Sequence, residues 1–273
     1  LDPVFIFGLR MGISGAAAAT VISQCVSFCI LFFQCNFRKG CIRLRPGKFT
    51  PSLKIYGEIL HAGLPSLCRQ GLASAAAVAL NVAANPFGDA AIAAMSIVTR
   101  YMMFINSALI GFGQGFQPVA GFAYGAKMYG RVRKAFKFTL FTGMIMLFIL
   151  SVVCFVFADG IIVLFRKSDP DVIQIGTLAL KLQCVTMFIQ PLSIISNMLL
   201  QSVGLPVEAT LTSISRQGLF FIPAVIILPM IWGLLGVQAS QPVSDVLAAV
   251  FCIFFLKKFF SQLPKDDIKV LKN

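Results

Sequence analysis

One histidine, one tryptophan and only 10 acidic residues stand in a chain of 273. Side chains that carry protons or hold metals near neutral pH are thus almost missing, which argues against acid–base and metal-assisted catalysis. His61 has no partnered nucleophile in the sequence, and Asp266-Asp267 belongs to a polar tail. No catalytic residue, metal ligand or cofactor is expected, and the chain is not read as an enzyme. Cys-x-x-Cys is absent too. The cysteines at 25, 29, 35, 41, 68, 154, 184 and 252 fall mostly inside apolar runs and read as reduced packing residues. Neither an initiator Met nor a cleavable signal peptide opens the chain, which begins Leu1-Asp2-Pro3 and is expected to continue upstream. No repeated filter or charged ring argues for a channel. The 23 Lys and Arg residues are not interleaved with stacking aromatics on a soluble face, which excludes nucleic acid as a partner.

Apolar surface is what the chain has in abundance. With 58% hydrophobic and 12% charged residues, it carries more than one soluble core buries, and reads as an all-α membrane protein, a polytopic helical bundle. At about 20 apolar residues per span, the pattern predicts about seven transmembrane helices, at 12–34, 62–85, 91–122, 135–158, 172–201, 208–230 and 234–257. Residues 35–57 form a basic linker that ends in an interfacial helix, in which Thr50-Pro51 reads as cap and first residue and Leu53, Tyr56, Ile59 and Leu60 share the apolar side.

The cations set the expected topology. Arg38, Lys39, Arg43, Arg45, Lys48 and Lys54 lie in the linker; Lys127, Arg131, Arg133, Lys134 and Lys137 follow the third span; Lys257, Lys258, Lys265, Lys269 and Lys272 lie in the tail. The opposite side holds Arg10, Arg166 and Lys167. The positive-inside rule places the three basic segments, and so the C-terminus, in the cytoplasm. Trp232 then falls at the outer interface, and Tyr56, Tyr124 and Tyr129 at the inner one.

Polar side chains recur at helical spacing within the spans, and buried polar groups of that kind need a shared interior or a wet pathway. Candidate pathway residues are Arg69, Gln70 and Asn81 on the second span and Arg100, Gln114 and Gln117 on the third. The fifth adds Lys181, Gln183 and Gln190, the sixth Arg216, and the seventh Gln238, Gln241 and Asp245. The fourth span offers only Thr139, Thr142 and Ser151 and reads as the lipid-facing member. Pro65, Pro118, Pro191, Pro223 and Pro242 lie in or near spans, where each frees a carbonyl that protein or water must satisfy. In 111–127, Gly111 with Gly115 and Gly121 with Gly125 repeat a small-xxx-small spacing that lets helices pack closely. That run fits neither Gly-x-Gly-x-x-Gly nor a Walker pattern, and no strand precedes it.

Asp245 is the one carboxylate deep in a span, about ten residues or roughly 15 Å from its outer end. Arg100, Arg216 and Lys181 are the cations near that depth. Two readings stay open: a permanent structural pair with one of them, or a pair that opens and closes as Asp245 exchanges a proton. A weak echo at a constant offset of 224 links Met11-Gly12-Ile13 with Leu235-Gly236-Val237, Thr20 with Ser244, and Val26 with Val250, as a two-lobe repeat would.

An ordered set of phrases carries a resemblance over nearly the whole chain. Gly63-Leu64-Pro65-Ser66 with Arg69-Gln70-Gly71, Gly113-Gln114-Gly115-Phe116-Gln117-Pro118, Tyr124-Gly125-Ala126-Lys127, Arg216-Gln217-Gly218-Leu219-Phe220-Phe221-Ile222-Pro223 and Gln241-Pro242 resemble the multidrug and toxic compound extrusion (MATE) family, in particular its MepA-like bacterial branch. The resemblance implies a twelve-helix antiporter of two six-helix lobes. Such an antiporter expels cationic or amphipathic compounds in exchange for protons or sodium by alternating access in a bacterial inner membrane. Residues 1–34 would be the last helix of the first lobe, 58–258 the second lobe and 259–273 a cytoplasmic tail. Five helices of the first lobe, among them one in which many relatives carry a coupling aspartate, are not in this sequence, so that lobe is an expected partner. The expected others are the bilayer, a small-molecule substrate and a coupling ion. Residues 64–85 lack the acid through which some relatives bind sodium, which favours the proton. A flippase for a lipid-linked oligosaccharide, in the same broad superfamily, is the alternative.

Overall fold

The computed structural model describes residues 4–8, 11–37, 52–165 and 169–264. Of the linker and tail cations in the topology argument, Arg38, Lys39, Arg43, Arg45, Lys48, Lys265, Lys269 and Lys272 lie outside these residues. The chain divides into two compact units, Leu1–Tyr56 and Gly57–Asn273. In the first, a π-helical turn Val4–Gly8 packs on α1 (Gly12–Phe37), whose hydrophobic side chains, such as Val21, Val26, Phe28 and Leu31, are largely exposed.

The helices α2 (Leu53–Ala84), which starts in the first unit, α3 (Asp89–Gly125), α4 (Tyr129–Val156), short α5 (Ala158–Phe165), α6 (Pro170–Met187) and α7 (Gln190–Ser202) follow in order. After them come α8 (Pro206–Ile214), a π-helical segment Ser215–Phe221, α9 (Ile222–Trp232) and α10 (Leu234–Gln262). In the second unit the core is made where α3, α4, α6, α7 and α10 pack on one another. Met95, Leu109, Leu147, Leu180, Ile195 and Leu199 are fully buried there. One stripe of α4, from Val132 through Phe136, Thr139, Gly143, Leu147 and Ser151 to Cys154, faces that core. Its other face, with Phe138, Phe141, Ile145, Phe148 and Val152, is exposed, so α4 is bare toward the outside but uses two of its three polar residues inward.

Prolines set the breaks. Pro191 has no N–H for the carbonyl of Met187, where α6 stops, and α7 leaves at 55° to it. Pro223 likewise cannot serve Leu219, and the ladder around it runs in π register. Gly233 turns α9 into α10 with φ 57°, a left-handed conformation that costs glycine little.

Seven spans are predicted from the sequence. Among the described residues, five helical stretches are each long and apolar enough to cross a membrane, and the bent pair α6–α7 makes a sixth. The remaining predicted span is α10, 29 residues long. Its Gln238, Gln241 and Asp245 dilute its apolar character, and protein surrounds the stretch that carries them, since α6, α7, α9 and the π segment all pack on it. The small-residue expectation needs correction. A methyl group at Gly111, Gly115 or Gly125 would meet nothing within 4 Å among the described residues. Of the four expected glycines only Gly121 is closely approached, a Cβ there standing 3.1 Å from the Ser202 carbonyl, and Gly113, outside the expected pairs, packs against Met198.

Candidate functional site

Asp245 is the focus of a closed polar cluster. Its side chain is 1% exposed, and Arg216 Nε donates to Oδ1 at 2.8 Å. Gln241, one turn earlier on α10, donates to the same oxygen at 3.1 Å, and Gln190 of α7 donates to Oδ2 at 2.8 Å. Three elements thus meet on one carboxylate: α7 at its proline-bent start, the π segment and α10. The π register also matters to the partner, because the Arg216 carbonyl accepts a hydrogen bond from Ser244 Oγ at 2.6 Å. Arg216 is therefore held to α10 by both its side chain and its backbone. A charge pair at this burial persists only when the remaining lone pairs and protons are also satisfied, as they are on Asp245.

Two further buried amides lie on α6 and α10, Gln183 and Gln238. Gln238 donates to the Ile175 carbonyl at 3.0 Å. The acceptor oxygens of Gln183, Gln190 and Gln238 and the hydroxyl of Thr177 have no partner among the described residues. Buried orphan acceptors are costly, so a row of them along α6, α7 and α10 is a place for water or a coupling cation.

A second polar site is open. A cleft of about 540 Å³ lies between α2, α3 and α7, lined by Ser66, Arg69, Gln114, Gln117, Met198 and Gln201 among others. Gln117 Nε2 donates to Gln201 Oε1 at 3.2 Å, and Gln201 Nε2 donates to Ser66 Oγ at 3.0 Å, a relay that ties the three helices together. On the same helix as Gln201, Asn197 Nδ2 shares its two hydrogens among the Ala209 carbonyl (2.5 Å), Thr212 Oγ1 (3.0 Å) and Ser213 Oγ (2.8 Å), fastening α7 to α8.

A family model described as MatE matches residues 65–227, a stretch that contains the cleft, the Asn197 knot and Arg216. The chain belongs to the MatE family. The multidrug export protein MepA of Staphylococcus haemolyticus is 24% identical over 274 residues, which is 100% of this chain and 60% of that protein. MepA of Staphylococcus aureus (strain MSSA476) is 26% identical over 275 residues with the same coverage. The chain thus spans about 60% of the length of these curated relatives. A multidrug resistance MATE family transporter of the MOP superfamily, solved in an outward-facing conformation, superposes with a TM-score of 0.88 at 24% identity, over 97% of this chain and 60% of that one. The shared fold is that of a MATE transporter.

Within this MatE fold the candidate residues divide. Asp245, Arg216, Gln190 and Gln241 come together, as do Arg69, Gln114 and Gln117. Lys181 does not join Asp245: it pairs with Asp159 at 3.6 Å, with side chains 35% and 68% exposed, because α5 turns Asp159 toward α6. Arg100 is exposed on α3, and Gln70 and Asn81 are exposed on α2. Gln183 and Gln238 are buried. Gln201, Met198 and Asn197 were not singled out for a site. Gln201 and Asn197 sit four apart on α7, a spacing that marks one helix face, but nothing in the sequence names their partners on α2, α3 and α8.

Proposed function

We propose that this multi-pass chain supplies the second lobe, preceded by the last helix of the first, of a secondary efflux antiporter. In this reading it exports cationic or amphipathic small molecules by alternating access, with protons preferred over sodium as the coupling ion. It lies in a bacterial inner membrane with its C-terminus cytoplasmic, and the first lobe covers the face where Gln70, Asn81, Arg100 and Gln114 are exposed on otherwise apolar helices. Residues 35–57 and 259–273 serve as cytoplasmic linker and tail.

The observation that carries the reading is the Asp245 cluster. One carboxylate ties together α7, the π segment and α10. α7 starts at the bend that Pro191 makes, and the π segment runs up to Pro223, whereas α10 continues unbroken through Pro242, so the first two are built to shift against the third. A proton on Asp245 removes the charge that holds Arg216 and releases that link; its loss restores it. The orphan acceptors on Gln183, Gln190 and Gln238 supply places for water along the approach.

The test is Asp245→Asn in the full-length transporter, reconstituted in vesicles with a fluorescent substrate and an internal pH dye. Efflux and proton uptake should both fall to background while substrate still binds. Wild-type coupling in that variant would remove Asp245 from the mechanism. Rescue of a glycan-export mutant by a protein that moves no drug would select the flippase instead.

A further inference from the structure

We propose that the cleft between α2, α3 and α7 binds the carboxylate of an amphipathic organic acid or zwitterion, with Arg69 as its anchor. The proposal rests on the transport reading only in treating the bound compound as cargo.

The charges point one way. Among the described residues Arg69 makes no hydrogen bond or ion pair, and no carboxylate lines the cleft. Two other arginines in the unit are engaged: Arg216 is bound to Asp245, and Arg133 donates to the carbonyls of Phe260 and Leu263 at 3.2 and 2.9 Å. Arg100 and Arg131 are exposed and do not line the cleft, so Arg69 is the unengaged arginine that faces it. A guanidinium that faces a polar cleft in a membrane helix without a partner is an unmet demand for an anion. Its planar fork matches a carboxylate with two parallel hydrogen bonds.

The neutral groups extend that match. In the relay Gln117 to Gln201 to Ser66, every donated hydrogen runs toward Ser66 Oγ. Ser66 accepts there and keeps its own O–H to give. Ser66 and Arg69 are three residues apart, so they stand on one face of α2. Gln114, which also has no partner among the described residues, adds an amide on the facing helix. Phe122, 74% exposed, and Pro118 and Met198 form an apolar wall for the rest of the molecule. A cavity of about 540 Å³ suits a drug-sized compound. A purely cationic guest would meet Arg69 with nothing to offset it.

The experiment measures binding and leaves transport aside, so its failure is separable from failure of the antiport reading. The purified chain in phosphatidylcholine nanodiscs is titrated with pyrenebutyrate and with a pyrenebutyl-trimethylammonium of the same apolar body, against empty discs. The carboxylate should bind about tenfold more tightly than the ammonium. Arg69→Gln should lose about tenfold for the carboxylate, and Arg69→Lys less. Gln114→Glu places an acid in the cleft without touching the arginine, and should reverse the preference. It decides the matter even if Arg69→Gln does not fold. Tighter binding of the ammonium to wild type, or an unchanged carboxylate affinity in both Arg69→Gln and Gln114→Glu, overturns the proposal. Displacement of pyrenebutyrate by soluble benzoate supports a small organic acid. Displacement only by short-chain phosphatidylglycerol overturns it in favour of a lipid headgroup.

Discussion

Arg216 and Arg69 are both guanidiniums set among glutamines, yet one is closed and the other open. Around Arg216, an acid two helical turns from Gln238, a π-register backbone and two amide donors leave the charge fully answered. Around Arg69 the amides answer one another, through Gln117 and Gln201, and leave the cation to the cleft. Identical residue types thus give a latch in one place and a receptor in the other. What separates them is whether the packing supplies an acid.

The sharpest way to break the comparison is to remove the acid. Asp245→Ala strands a half-buried Arg216 and two amide donors, and taking one partner from a buried pair costs about 3–5 kcal/mol, the partial exposure of Arg216 placing the loss toward the lower end. The thermal unfolding midpoint of the purified chain should fall steeply. Arg69→Ala, at a site with no partner to strand, should move it hardly at all. Equal losses from the two substitutions would mean that the cleft arginine is structural.

Asn197 gives an intermediate case, since its one amide nitrogen serves three acceptors between α7 and α8. Asn197→Ala takes the amide donor from the Thr212 and Ser213 hydroxyls, while the Ala209 carbonyl keeps its bond from Thr212 Oγ1, at about 1–3 kcal/mol. A smaller midpoint drop than for Asp245→Ala, with hydrogen exchange increased in α8, is the expected result. Loss as large as that of Asp245→Ala would make the knot, and not the charge pair, the main fastening of the unit.

How much of this was legible in the sequence follows from the same physics. Asp245, Arg216, Gln190 and Gln241 stand out because polar groups are conspicuous in apolar helices, and their depth follows from counting residues. Their pairing was not legible. Lys181 looked like an equal candidate until α5, concealed in the apolar run around 158–165, turned Asp159 to it. The π segment was half visible, in that Pro223 withholds a donor one turn on, but a sequence does not say whether the ladder kinks, breaks or slips. Gly111 and Gly115 had the spacing of a packing motif without the neighbour, since spacing selects a face and only the fold decides what lies against it.

Among the hydrogen-bonded side chains the smallest expected effect concerns Gln201, whose two hydrogen bonds join α3 to α7 and α7 to α2. Both partners are half-exposed and water can replace it, so Gln201→Ala should cost only about 0.5–1.5 kcal/mol. Its consequence is directional. α2 contributes few buried side chains to the unit, among them Pro65, Ala76, Leu80 and Ala84, so a polar tie near its start carries more of its attachment than it would on α3. Without Gln201, Ser66 loses its donor while the Arg69 side chain three residues on keeps its place on the same face. Amide hydrogen exchange over 63–75 should speed up while α3 and α10 stay protected. Uniform speeding across all helices would show that Gln201 supports the whole core, and no change over 63–75 would show that apolar contact alone holds α2 against the cleft.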